Sequence, residues 1–309
     1  MSEAPLITVM IPTFRLPQGL NIAGESIIAQ TGIDLSTLEL VIIDNAPEAP
    51  SRDVAEVLKA KAPFPVIWVH EPRPGVANAR NAGVAVAKGA FVAFLDDDEE
   101  AEPGWLAALM AAEAETKADV IFGAVHTRLP EPAPTPRAYF ERFFGRSHDG
   151  PDGLIDGYYG VGNALFRTKT ALAFSPPFDL GANEFGGEDD TLFRRLQRAG
   201  GTFAWASKAK VWEIVPPARA RWAYTLRRSF AHGHGVVTDC AERGKWGAVA
   251  GWMAKGLAQM LGMGLVTAGL WLIRDPRWGT TLDLTARGAG KMLWFGGFRQ
   301  KFYGTSRVT

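Results

Sequence analysis

FVAFLDDDEE, residues 91–100, carries five apolar residues, Phe91 to Leu95, directly into Asp96, Asp97 and Asp98. A short Phe- and Val-rich run that ends abruptly in charge reads as a buried strand of a parallel sheet. Ligands of open α/β sheets bind just beyond the carboxyl ends of such strands, so the acidic cluster is expected in a cleft. Three adjacent carboxylates repel one another unless a cation sits among them. Hard oxygen donors suit Mg²⁺ or Mn²⁺, and magnesium sites commonly pair one or two carboxylates with substrate phosphates. The run therefore points to metal-assisted handling of a diphosphate. The alternative is an acidic turn that opens a helix: Glu99, Glu100 and Glu102 followed by Pro103 have the residue types of a first helical turn.

Three more runs of the same kind precede it: LITVMIP (6–12), LELVIID (38–44) and FPVIWVH (64–70). The stretches between them suit helices. LNIAGESIIAQTGIDLS (20–36) has helical spacing, and GVANARNAGVAVAKGA (75–90) is an Ala-rich helix ending at Gly89. Alternating strands and helices predict a parallel sheet covered by helices. No dinucleotide fingerprint of glycines follows the first strand, and Gly290-Lys291 lacks the remainder of a P-loop. A nucleotide on this sheet is held some other way.

The chain has 309 residues, 47% of them hydrophobic, enough for a sizeable core in one large domain or a domain plus an appendage. Its single cysteine, Cys240, excludes an internal disulfide framework and suits a reducing cytosol. MSEAPLITVMIP lacks the charged leader and cleavage region of a signal peptide, so a cytoplasmic protein is expected. The net charge of zero conceals an asymmetry: residues 1–220 carry 20 Lys and Arg against 29 Asp and Glu, residues 221–309 carry 13 against 4. Six of the ten tryptophans (Trp222, Trp246, Trp252, Trp271, Trp278 and Trp294) also fall in the second section. Cations and aromatic rings interleaved with apolar residues favour the headgroup region of an anionic membrane. An acidic front argues against nucleic acid as the partner.

A second acid cluster, Glu188-Asp189-Asp190, opens a run whose apolar positions Leu192, Phe193 and Leu196 have helical spacing. Alone, these acids would serve as the first turn of a helix. Taken in order, TVMIPTFR, VIIDNAP, GVANARNAG, FLDDDEE and GGEDDTLFRRLQRAG resemble the motif series of family 2 glycosyltransferases, which have the GT-A fold. The resemblance covers about the first 220 residues. The segment AKVWEIVPPARARWAYTLRRSFAHGHG is similar to that of bacterial polysaccharide transferases.

The resemblance implies an α/β GT-A fold with a mostly parallel central sheet, residues 1–220, followed by a helical, membrane-associating extension, residues 221–309. It implies a UDP-sugar donor, with Pro12, Thr13, Arg15 and Asp44 at the base; an Asp accepts well from the imide N–H of uracil, although DNAP also reads as an Asx turn. Asn78 and Arg80 would approach the donor, Arg being a natural partner of phosphate oxygens, the alternative being a solvated helix face. Asp98 would hold the metal with Asp96, and Asp96 and Asp97 would also lie around the ribose and diphosphate. Asp189 would be the general base of an inverting displacement, with Glu188 orienting the acceptor. Gly162 and Asn163 of GYYGVGNALFRT would border the sugar. His234 of AHGHG would face the metal or diphosphate, the alternative being a surface histidine.

In the C-terminal section, Gly256–Ile273 is free of charge and reaches the length of a spanning helix, yet it is broken by glycines and contains Gln259 and Thr267. An interfacial helix pair on the inner face of the cytoplasmic membrane, presenting the active site to a lipid-linked oligosaccharide acceptor, is favoured over the alternative of a helical appendage packed on the catalytic domain. The alternatives to a transferase are a non-catalytic sugar-nucleotide sensor or scaffold, which would not need the second acid pair, and a sugar nucleotidyltransferase, which would need a Gly-rich basic loop where IPTFRLPQG stands.

Overall fold

The computed structural model describes residues 5–183 and 187–298. Gly186 of the GGEDD run and residues 299–309 of the C-terminal section lie outside the described residues. The four apolar runs are all strands: β1 (Ile7–Thr13), β2 (Leu38–Asp44), β3 (Val66–His70) and β4 (Phe91–Phe94). They pair in parallel, β3-β2-β1-β4, with Thr13 opposite Asp44, Asp44 opposite His70 and Met10 opposite Phe94. This register brings the ends of β1, β2 and β4 to one edge of the sheet.

Alternation along each strand divides the core into two layers. Ile7, Val9 and Ile11 pack on one face with α1 (Pro17–Ile28), α2 (Arg52–Lys61) and α4 (Trp105–Thr116). Met10, Val41 and Phe94 pack on the other face with α3 (Val76–Val86) and α7 (Glu188–Arg198). Burial on both faces is why these strands read as continuous apolar runs.

Beyond β4 the expectation of a mostly parallel sheet does not hold, and the nine-stranded sheet is mixed. β8 (Ala164–Arg167) runs antiparallel to both β4 and β6 (Val120–Arg128), while β9 (Phe203–Ile214) pairs antiparallel with β5 (Glu99–Ala101) and β7 (Gly153–Ile155). The acidic run also departs from the helix-opening alternative. Glu99–Ala101 is strand β5, held opposite Val211–Glu213, and α4 starts only after Gly104, whose φ of +86° is left-handed. Distant pairing has overridden a local helix signal.

The chain forms two units. Residues 5–127 and 145–214 make the α/β unit; residues 128–144 and 215–298 make a helical one. The short α6 (Thr168–Ala171) belongs to the first. The second holds α5 (Arg137–Phe144), α8 (Trp222–Glu242), α9 (Trp246–Leu272) and α10 (Trp278–Met292). Within it, α10 meets α9 at Gly256 and Gly288 and meets α8 at Gly233 and Gly290, where a Cβ on any of the four would press into backbone or a neighbouring side chain at under 3.0 Å. Trp222 stacks between Tyr139 and Trp278 at 4.6 and 4.9 Å. The buried Asp283 accepts from the Tyr139 hydroxyl at 3.2 Å, from Arg287 Nε at 2.9 Å and from Ser229. Among the described residues no helix is long and apolar enough to cross a membrane.

Candidate functional site

The site begins where β4 ends. The backbone of Leu95 is still hydrogen-bonded to Met10, after which the chain turns: Glu99 N donates to Asp96 O at 3.0 Å and the Glu99 carboxylate accepts from Asp96 N at 3.0 Å. Glu99 is buried, and burial, followed by the neighbouring Asp96 charge, pushes its carboxyl well above the usual range. The three aspartates then part company. Asp97 turns inward, accepting from Thr13 Oγ1 at 2.8 Å and Phe14 N at 3.2 Å, so it pins the loop that leaves β1. Asp96 and Asp98 remain partly exposed.

Arg80 connects this turn to the second acid cluster. It comes from α3 and is itself buried; its Nη1 donates to Glu188 Oε1, and its Nη2 lies 3.7 Å from Asp96 Oδ1. Glu188, Asp189 and Asp190 occupy the first turn of α7, where the helix dipole favours negative charge. Glu188 is only 4% exposed and its Oε2 has no hydrogen-bond partner among the described residues. Burial raises its carboxyl to about 6, against the opposing pull of Arg80. Asp189 is more accessible, with Oδ1 accepting from Asp190 N at 2.8 Å.

The turn before β8 closes the arrangement. A Cβ on Gly162 would stand 2.6 Å from Asp96 Oδ2, and one on Gly160 would stand 3.5 Å from both Asp189 Oδ2 and Arg146 Nη2. The absence of a side chain at Gly162 lets backbone pass beside Asp96, while Gly160 brings the same turn up to Asp189 at ordinary contact distance. Arg146 fixes the turn, donating from Nη1 to Gly162 O at 2.6 Å and to Asn163 O at 3.4 Å, and the charges of Glu99, Asp96 and Asp189 all act on it. Neither Arg146 nor Glu99 is among the site residues expected from the sequence. Arg146 sits in a stretch without periodicity, and its partners are carbonyl groups that carry no side-chain signature.

Several expected binding residues are engaged in the frame. Asp44 has no exposed surface and its two oxygens accept from Ala46 N at 3.2 Å and Ser51 N at 2.7 Å, the Asx-turn arrangement. Asn163, at φ +49° and fully buried, accepts from Trp105 Nε1 at 2.7 Å and donates to Ala124 O and Ala209 O. Asn78 donates from its side chain to Arg73 O and Pro74 O, at the start of its own helix. Pro12 and Thr13 close β1, and Arg15, at φ +56°, forms an exposed pair with Glu48. His234 lies in the helical unit, buried edge-on against Phe230.

For a divalent cation, the available donors are carboxylates at the end of β4. Among the described residues no three His, Cys, Asp or Glu side chains form a ready-made cage. Asp96 and Asp98, both partly exposed there, are the hard oxygen donors that Mg²⁺ takes when phosphate and water complete its shell.

The fold is that of the GT-A glycosyltransferases. The chain resembles Staphylococcus aureus TarS residues 1–349 in a crystal structure with UDP, with a TM-score of 0.54 at 15% identity over 93% of this chain and 90% of that one. It also resembles GalNAc-T7 in a structure with UDP, GalNAc and Mn²⁺, with a TM-score of 0.51 at 17% identity over 70% of this chain and 45% of that one. In sequence, residues 8–171 match the profile of glycosyl transferase family 2. The succinoglycan biosynthesis protein ExoM of Rhizobium meliloti (strain 1021) is 32% identical over 238 residues, covering 75% of this chain and 74% of that protein. The chain belongs to glycosyl transferase family 2.

Proposed function

We propose that this glycosyltransferase moves a sugar with inversion from a UDP-sugar to a lipid-linked saccharide in bacterial polysaccharide assembly, working at the inner face of the cytoplasmic membrane. The observation that carries the catalytic part is the joining of two acid groups through Arg80: Asp96 on the β4 side and Glu188, next to Asp189, at the start of α7. Asp189 is the base. It takes the proton of an acceptor hydroxyl as that oxygen bonds to the anomeric carbon, while the bond from that carbon to the UDP oxygen breaks and UDP leaves with the electron pair. Glu188, with one oxygen on Arg80 and the other without a hydrogen-bond partner among the described residues, supports a role in orienting the acceptor.

Asp96 and Asp98 would hold Mg²⁺ or Mn²⁺, which when bound supplies positive charge to the departing diphosphate. Arg80 adds positive charge on the same side. The loop ending β1, with Pro12, Thr13 and Arg15, supports the nucleotide, and Asp97 braces it. The relationship to ExoM supports a polysaccharide pathway, and the UDP bound to TarS supports the nucleotide.

The test is release of nucleoside diphosphate from a panel of sugar nucleotides, with Mn²⁺, Mg²⁺ or a chelator, by wild type and Asp189→Asn. One donor should be turned over, chelator should abolish release, and Asp189→Asn should slow it about 10²- to 10⁴-fold. Equal turnover by Asp189→Asn would refute the base.

A further inference from the structure

The largest unexplained feature of the molecule is the outer side of α9. This helix has 27 residues and so is about 40 Å long. Leu257, Leu261, Leu265, Val266, Leu272 and Ile273, in it and just beyond its end, are all at least 41% exposed, Leu265 reaching 77%. At about 100° per residue these positions, with the exposed Ala250, Ala254, Ala258 and Ala268, cover half the helix circumference. Val249 and Gly256 are its buried residues. A contiguous apolar face of this length is not ordinary protein surface.

Charge identifies what it fits. From residue 243 to 274 there is no Asp or Glu, and the cations are Arg243, Lys245, Lys255 and Arg274. Trp246 and Trp271 stand exposed near the two ends of the helix, each more than 60% accessible. Lys255 is exposed on the same side, its Nζ 4.6 Å from the Trp252 ring centroid. A second copy of the chain is a poor occupant. A two-fold contact sets a patch against itself, which brings these cations together with no acid to answer them. The face is also wider than the two-position seam of a coiled coil. An anionic bilayer surface answers both features: acyl chains accept a broad Leu and Ala face, headgroup phosphates accept the cations, and tryptophan favours the boundary.

We propose that α9 lies flat in the surface of an anionic membrane, its leucine face at the acyl boundary and its cations among the lipid phosphates. This deepens the membrane part of the proposed function and names the element responsible. It stands independently of the transfer chemistry.

The full-length protein is to be sedimented with phosphatidylcholine vesicles with and without phosphatidylglycerol, alongside the double variant Leu261→Glu/Leu265→Glu. The wild type should bind the phosphatidylglycerol vesicles, more weakly as salt rises. The double variant should lose at least about tenfold in binding, with an unchanged melting temperature and unchanged diphosphate release, because both sites are exposed in the native fold. Failure of the wild type to bind, or equal binding by the variant, overturns the proposal. So does a dimer in sedimentation equilibrium that the variant splits, which would assign the face to a second copy. Because vesicle binding is read without any donor, an inactive donor panel leaves this result intact.

Discussion

Arg80, Glu99 and Glu188 in the α/β unit are ionisable side chains taken out of water, whereas Leu265, Leu272 and Ile273 in the helical unit are apolar side chains left in it. Each inverts the ordinary preference of a soluble protein. Buried charge is expensive, and at the carboxyl edge of the parallel strands it is grouped so that cation meets anion: Arg80 with Glu188 and Asp96, Arg146 near Asp96, Asp189 and Glu99. Exposed apolar surface is also unfavourable, yet along α9 it is gathered on one side instead of being scattered. In the first region the cost is offset inside the chain. In the second, nothing among the described residues offsets it.

The comparison breaks most easily at Arg80. Arg80→Leu leaves Glu188 buried without its cation and should destabilise the protein by about 3–5 kcal/mol in urea unfolding. Adding Glu188→Gln should recover most of that loss, since the amide carries no charge to strand. A single-variant cost below about 1 kcal/mol would mean that the two charges are solvated and that the site is not a low-dielectric one.

Glu188→Gln alone tests the same burial through pH. The folded-state carboxyl lies near 6 against an ordinary 4.5, so the folded protein holds the proton more tightly than the unfolded chain. That contribution is fully present below pH 4.5 and is lost as pH rises through about 6. The variant has no such loss, so it should gain on wild type by about 2 kcal/mol across that interval, read as the difference of two melting curves at each pH. A difference that stays flat with pH would contradict the raised carboxyl.

What the sequence shows plainly are features held by local chemistry. The four parallel strands are mostly apolar because their faces are covered, Thr8 and Glu39 being buried as a hydrogen-bonded pair, and both acid clusters stand at the ends of elements that periodicity reveals. What it hides depends on distant pairing. Glu99–Ala101 looks like the start of a helix until Val211–Glu213 comes alongside it. Asp96, Asp97 and Asp98 look equivalent until Thr13 and Phe14, more than 80 residues away, claim Asp97. Arg146 reaches carbonyls 16 and 17 residues further on, and backbone acceptors leave no trace in side-chain identity. Residues 128–144 belong with the helical unit although they lie well inside the stretch read as catalytic, because Tyr139 and Phe140 pack on Trp222.

The smallest expected effect is the most telling of the comparison. Leu265→Ser removes an apolar side chain that the folded protein does not use, since 77% of it already faces solvent. In the α/β unit a leucine such as Leu106, with no exposed surface, fills space that would otherwise be a cavity, and its truncation would be felt by the whole fold. At Leu265 the unfolding free energy should change by less than about 0.5 kcal/mol. If instead the protein is destabilised by the amount typical of a core leucine, the outer side of α9 is buried in solution, and the contrast between an internally compensated region and an externally compensated one disappears. An unchanged unfolding curve together with weakened vesicle binding would separate the two regions cleanly: one set of side chains selected for the fold and its chemistry, the other for where the fold is held.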